Sequence, residues 1–210
     1  MSPMTGFDFL SIGHSNIAAD RFVALLRTAR VGAIADVRTV PFSRFCPWFS
    51  GKALAPLLAQ HGIGYLAYGT ALGGRPARAE LYCDGIADYE AMARQADFQA
   101  ALGRLAADAA ELSGDRRLCL MCAEREPLDC HRCLLVARAL AAQGFAVGHI
   151  LHDGTIEPHA ATEQRLLALA GDSSDLFAAG QDARMAAAYR RRAHAVAYRA
   201  KGARAARENR

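Results

Sequence analysis

The sequence predicts an α/β fold on a mostly parallel sheet of about five strands, followed by a basic helical C-terminal extension. Two observations predict it. Short apolar runs alternate with helix-length amphipathic stretches, the pattern of parallel strands joined by crossovers. A polar or reactive cluster then follows nearly every apolar run, as expected where the carboxyl ends of parallel strands share one ligand-binding edge.

The elements follow in order. Residues 7–12 form an apolar run ending at Gly13 and read as a buried strand. Residues 18–30 place Phe22, Leu25, Leu26 and Ala29 at helical spacing, with Asn16 as the expected N-cap. Residues 33–37 are a second strand, 51–60 a short helix after Ser50, and 64–67 a weak third strand. A loop holding Leu72-Gly73-Gly74-Arg75-Pro76 precedes a long helical stretch over 89–112. Residues 118–121 are a fourth strand. Residues 130–143 read as a helix, with Asp129 as its expected N-cap and Gly144 just past its end. Residues 146–151 are a fifth strand, and 162–170 are helical. A linker is expected at 171–175. Beyond it Met185, Tyr189, Ala193 and Val196 form one apolar stripe of a basic helix, and 202–210 are expected to fray.

Composition bounds the function. A chain of 210 residues with 52% hydrophobic and 22% charged residues is globular, with one domain over 1–160 and an Arg-rich extension over 161–210. No apolar run is long enough to span a bilayer, so no membrane role is expected. Six cysteines without a secretory leader point to reduced thiols and a cytoplasmic setting. The charge is uneven. Residues 181–210 hold nine basic and two acidic side chains, net +7, which leaves residues 1–180 at −3 within the total of +4. Such a tail either contacts nucleic acid or forms a solvated or assembly face.

The sharpest segment is residues 118–133, LCLMCAEREPLDCHRC. Cys130, His131 and Arg132 are expected in the first turn of a helix, where free N–H groups favour anions and lower a thiol pKa. Cys130 is then a reactive thiolate or a small residue packed on the sheet. Cys122 is the other candidate nucleophile. Arg132 offers a fork to phosphate or carboxylate. Glu124 acts as acid or base, or orients an arginine. Cys119-x-x-Cys122 and Cys130-x-x-Cys133 have the form of a zinc site, but the pairs are close together, and Cys119 in a strand faces away from Cys122. A mixed metal site drawing on Cys122, Cys130, His131 or His149 fits the ligand chemistry. His14, in Gly13-His14-Ser15, reads as a general base, a metal ligand or a backbone-bonded loop residue. Asp36 and Arg38 read as an ion pair or ligand clamp. Ser43 and Arg44, among Phe42, Phe45, Trp48 and Phe49, suit a nucleobase or ribose phosphate, or a packed loop. Gly73 and Gly74 let backbone amides approach an anion.

Taken together, Ser-Ile-Gly-His-Ser at 11–15, Asp-Val-Arg-x-x-Pro-x-Ser-Arg at 36–44, Leu-Gly-Gly at 72–74, Cys-Ala-Glu at 122–124 and Cys-His-Arg at 130–132 occur in one order. This resembles the prokaryotic family called domain of unknown function 488 over roughly residues 7–155. The resemblance implies a Rossmann-like three-layer domain and singles out Gly13, His14, Ser15, Asp36, Arg38, Pro41, Ser43, Arg44, Gly73, Gly74, Cys122, Glu124, Cys130, His131 and Arg132. It carries no activity. The residues themselves favour an enzyme, a hydrolase or transferase, on a phosphate-bearing substrate such as a nucleotide or nucleic acid. Arg38, Arg44 and Arg132 hold the anion, a cysteine is the nucleophile or a redox-sensitive thiol, and His14, Glu124 or His131 moves protons. The alternatives are a non-catalytic nucleotide or nucleic-acid binding module and a Cys/His metal enzyme or sensor. The sequence names neither cofactor nor metal.

Overall fold

The computed structural model describes residues 6–171 and 180–200. The main sheet has six strands in the order β3-β2-β6-β1-β7-β8. They are β1 (Phe9–Gly13), β2 (Val31–Asp36), β3 (Gly64–Ala67), β6 (Arg117–Cys122), β7 (Val147–Ile150) and β8 (Ile156–Pro158). The first five in chain order run parallel, and β8 pairs antiparallel with β7 at the edge. A separate ribbon pairs β4 (Tyr82–Cys83) with β5 (Ile86–Ala87). Neither β8 nor the ribbon is expected from the sequence, because both are too short to show a period.

Helices cover both faces, which makes the three layers. Helices α1 (Ala19–Thr28) and α2 (Gly51–Gln60) bury Phe22, Leu26, Leu54 and Leu58 against Leu10, Ile12, Ile34 and Met121. The opposite face carries α3 (Gly69–Leu72), α4 (Tyr89–Ala93), α5 (Ala96–Ala110), α6 (Arg138–Ala142), α7 (His159–Ala170) and α8 (Gln181–Val196). There Phe98, Leu102, Val136, Leu140, Leu166 and Tyr189 meet Leu118 and Leu120. Each such side chain contributes roughly 1.5–3 kcal/mol on burial. Successive residues of β6 serve opposite faces: Cys119 and Met121 join the first core, Leu120 and Cys122 the second.

Three local expectations are corrected. The helix after β1 starts behind Ala18 without a side-chain cap, so Asn16 is not its N-cap. The expected helix over 89–112 is two helices broken at Arg94-Gln95. The buried faces require this: Met92 and Phe98 are six residues apart and would point in different directions on one continuous helix. The amides of Gln95 and Gln99 donate to the carbonyls of Ala91 and Ala93 and satisfy the end of α4. Finally, the helix expected over 130–143 is not capped by Asp129, which ends a 3₁₀ turn, Pro127–Asp129. Cys130 is extended (φ −137°, ψ 139°), and its carbonyl accepts from Cys133 and Leu134. Cys130 is therefore the cap, and the first turns, Arg132–Ala137, are wound as a π-helix. Such windings are frequent at functional sites.

The C-terminal extension docks on the body. Tyr189 and Ala188 of α8 are buried, and Met185, Ala193 and Val196 pack on the same core, so the expected stripe faces inward. Arg192 donates to Leu128 O (3.0 Å) and pairs with Asp129, Arg190 pairs with Glu90, and Arg191 donates to Ala170 O. Beyond the helix, Tyr198 O accepts from Ala87 N–H, and Ala200 N–H donates to Gly85 O. The fraying expected over 202–210, and nearly all of the linker, lie outside the described residues. Among the described residues no helix is long and apolar enough to cross a membrane.

Candidate active site

A cleft of about 280 Å³ opens at the carboxyl edge of the sheet. Arg38, Thr39, Phe42, Gly74, Arg75, Tyr89, Cys122, Glu124, His131 and Tyr198 are among its lining residues. Three motifs far apart in sequence reach it because β2 and β6 are neighbours, and because the π-wound helix start lies behind the end of β6.

Its floor is one cluster. Glu124 Oε2 lies 2.9 Å from Cys122 Sγ and 3.0 Å from Cys130 Sγ. His131 Nδ1 lies 3.6 Å from Cys122 Sγ and 3.9 Å from Cys130 Sγ. His131 Nε2–H donates to the Val37 carbonyl at 2.8 Å, which leaves Nδ1 facing the sulfurs. The Arg132 backbone N–H donates to Cys130 Sγ at 3.4 Å, so the sulfur caps its own helix. Burial opposes the Cys130 thiolate. The Cys122 hydrogen bond and the charges of Arg132 and His131 outweigh it and carry the pKa well below the ordinary thiol value. Burial, then the neighbouring Cys130, pushes Cys122 up. Burial and the Cys130 charge also raise Glu124. Burial lowers the His131 pKa, but the Cys130 thiolate raises it more.

Arg132 is fully buried and does not line the cleft. Its NH1 and NH2 donate to the carbonyls of Glu124 and Arg125, the latter at 3.0 Å, while its Nε has no hydrogen-bond partner. It shapes the loop that carries Glu124 instead of presenting a fork to a ligand. Gly13 belongs to the same support, since a Cβ there would collide with the Glu124 carbonyl. Gly74 lies against the His131 ring, 2.7 Å from its Cγ for an added Cβ. Gly73 is crowded in the same way by Thr39 and the Gly69 carbonyl. The two glycines admit neighbouring side chains and backbone, and Gly74 also lines the cleft.

Arg38 forms the wall. Its Nε and NH2 donate to the two oxygens of Asp36 at 2.8 and 2.6 Å, and Tyr65 OH donates to Asp36 Oδ2 at 2.7 Å. Arg38 NH1 donates to His14 Nε2 at 3.1 Å. His14 Nδ1–H donates to Ser15 O at 2.8 Å, and the ring stacks on Phe49. Both His14 nitrogens are thus engaged, and burial pulls its pKa down to about 4. His14 supports Arg38 and does not line the cleft. Ser15 adopts φ 47° at the turn after β1. Ser43 Oγ accepts from Cys46 N–H and Ser43 N–H donates to Ser50 Oγ, so Ser43 closes a turn. Arg44 is exposed over Phe45, outside the cleft.

His149 does not join this site. It lies within β7, bonded to Ser11 Oγ (2.7 Å) and His159 (3.0 Å). His159 contacts Tyr189 OH (3.0 Å), which donates to Glu163 (2.9 Å). Burial, then His159, holds His149 well below the ordinary imidazole pKa. With Cys133 this is a second Cys/His group.

The sequence reading missed Arg75, Tyr89 and Tyr198 as cleft residues. Arg75 stands beside the noted glycines and stacks on Tyr198, 4.9 Å from the ring centroid. That neighbour was the available signal. Tyr198 gives no local signal, because only the docking of α8 and the bond from Ala87 N–H to its carbonyl bring it there.

Searches of curated proteins and of solved structures gave no match. The family model described as "Domain of unknown function DUF488" matches residues 18–139, more than half of the chain and all of the cluster on the cleft floor. With that span and those motifs, the chain belongs to the DUF488 family.

Proposed function

We propose that this protein is an enzyme, a hydrolase or transferase, acting on a phosphate-bearing substrate of the nucleotide or nucleic-acid class. One observation carries the reading: Cys122, Glu124, Cys130 and His131 converge on the floor of a cleft whose wall presents guanidinium groups. Arg75 is exposed at the cleft, which suits a phosphate, while Arg38 lines the same cleft with its charge paired to Asp36. Phe42 lines the same cleft at 67% exposure, which suits a stacked base. The cluster supplies the reacting groups. Arg132, Gly13 and His14 position them. The free cysteines fit a reducing, cytoplasmic setting.

A binding module relying on the basic tail has less support, because Arg190, Arg191 and Arg192 are turned onto the body. Calorimetric titration with nucleoside monophosphates and 5′-phosphorylated oligonucleotides at two salt concentrations tests the substrate class, with turnover followed on the ligands that bind. Arg75→Ala is expected to weaken binding about tenfold, the scale of one charge-assisted hydrogen bond. Glu124→Gln is expected to keep binding and lose about 10²–10⁴ in turnover. Absence of salt-sensitive binding, or affinity indifferent to Arg75, overturns the substrate class. Binding with no turnover returns the non-catalytic module.

A further inference from the structure

We infer that Cys122, Cys130 and His131 hold a divalent transition-metal ion of the zinc class, and that Glu124 fills the cleft-facing coordination position and yields it to a substrate oxygen. The inference rests on the proposed enzymatic reading only for that last step. Metal binding stands on the cluster itself.

Donor chemistry comes first. Two thiols, one imidazole and one carboxylate are the ligand types that zinc takes, and here one ligand atom from each lies within 4.8 Å of every other. Ordinary zinc bond lengths at tetrahedral angles put a sulfur and a nitrogen ligand about 3.6 Å apart. His131 Nδ1 sits 3.6 and 3.9 Å from the two sulfurs.

Orientation comes second. A ligating histidine needs its other ring nitrogen committed elsewhere, and the bond from His131 Nε2–H to Val37 O does that. The Gly74 backbone packs against this ring and fixes its plane. Charge comes third. Arg132 is fully buried, its Nε has no partner, and none of the ion pairs among the described residues includes it. A divalent cation together with this guanidinium neutralises two thiolates and a carboxylate, with whatever protons these ligands carry released to solvent as the metal enters.

Glu124 differs from the other three. Its oxygen stands 2.9–3.0 Å from the sulfurs, inside tetrahedral spacing by about 0.6 Å, so it must draw back as a cation enters. It belongs to an exposed residue on a loop and lines the cleft, whereas Cys122, Cys130 and His131 are buried. Three buried protein ligands with one replaceable position is the arrangement of catalytic zinc, as opposed to structural zinc. Cys119 lies on the other face of the sheet, so the sequence spacing of two Cys-x-x-Cys pairs does not describe the site. His149 lies in the second group with Cys133 and His159.

The test is cobalt(II) titration of the tag-free full chain, purified without oxygen, followed by absorbance, with metal analysis of the protein as purified. The expected result is about one cobalt per chain, with a near-ultraviolet thiolate charge-transfer band and visible bands of tetrahedral intensity, all bleached by zinc. Cys130→Ala and His131→Gln should each weaken binding at least about 100-fold. Cys119→Ser and Cys133→Ser should leave it intact. Glu124→Gln should retain the cobalt but change the visible bands. A wild-type chain without thiolate-to-cobalt absorbance at micromolar free metal overturns the inference, and this readout needs no variant to fold. Loss of the bands in Cys133→Ser but not in Cys130→Ala also overturns it, by placing the metal in the other group. Phosphate-ligand binding is read separately, so either reading can fail while the other stands.

Discussion

Among the described residues two Cys/His groups form, and they behave differently. One, at the carboxyl edge, combines Cys122, Cys130, His131 and Glu124. The other, between the sheet and α7, combines Cys133, His149 and His159 with Ser11 and Tyr189. Residue types do not separate them; the state of each polar atom does. In the second group every imidazole nitrogen already has a partner: Ser11 and His159 for His149, His149 and Tyr189 for His159. It is a closed, buried network of the kind that specifies a core. In the first group His131 Nδ1 and the sulfurs converge on one another beside a cleft. An arrangement with polar atoms left converging is one that can take a ligand.

The largest expected effect is on the frame of the first group. Arg132→Met leaves the carbonyls of Glu124 and Arg125 without their donors from the buried side of the loop. It should cost roughly 2–5 kcal/mol. Urea denaturation measures this, and a loss below 1 kcal/mol would show that the loop holds itself.

The second effect separates the two groups. His149→Phe strands Ser11 Oγ and one nitrogen of His159, at about 1–3 kcal/mol. It should leave cobalt and phosphate binding unchanged, unlike His131→Gln. It should also change the pH dependence of stability. Burial lowers the pKa of both His149 and His159 from 6.5, so the unfolded chain takes up more protons below that pH. The stability of neutral burial is therefore present above about pH 6.5 and is lost as pH falls. The groups facing these rings are Ser11 and Cys133 at His149, and Tyr189 and Glu163 at His159. Denaturation midpoints between pH 5 and 8 should fall less steeply in His149→Phe than in the parent. Parallel curves would remove His149 from the account.

The smallest effect sharpens the boundary between the groups. Arg165 ties Glu126, on the loop of the first group, to Glu157 on β8. Burial raises the Glu126 pKa, but the hydrogen bonds from Arg165 and the Leu128 N–H, with the charge of Arg165, together outweigh it and hold Glu126 below its ordinary value. The arginine is partly exposed, so Arg165→Ala should cost only about 0.5–1 kcal/mol, and less at high salt. A larger loss, or a parallel loss of cobalt affinity, would mean that the two groups are coupled.

Much of the fold was legible in the sequence. Five parallel strands, their helices and the reactive edge show as apolar runs, amphipathic spacing and the residues that follow each run. Helix starts were less legible. Asp129 is a good capping residue, yet Cys130 takes the cap because Asp129 ends a 3₁₀ turn and pairs with Arg192 of α8. The single helix read over 89–112 fails because no Gly or Pro marks the break; two glutamine amides make it.

The sequence by itself determined the strands of the sheet, the helices between them and the cluster of reactive residue types at one edge, because apolar periodicity is a local property of the chain. Only the tertiary structure decided which of those residues converge. It set His131 facing two sulfurs, spent Arg132 on loop carbonyls, enclosed His149 in a separate network and brought Tyr198 to the cleft. The physical reason is that a side chain's role depends on which partners its polar atoms meet after packing, and those partners are distant in sequence.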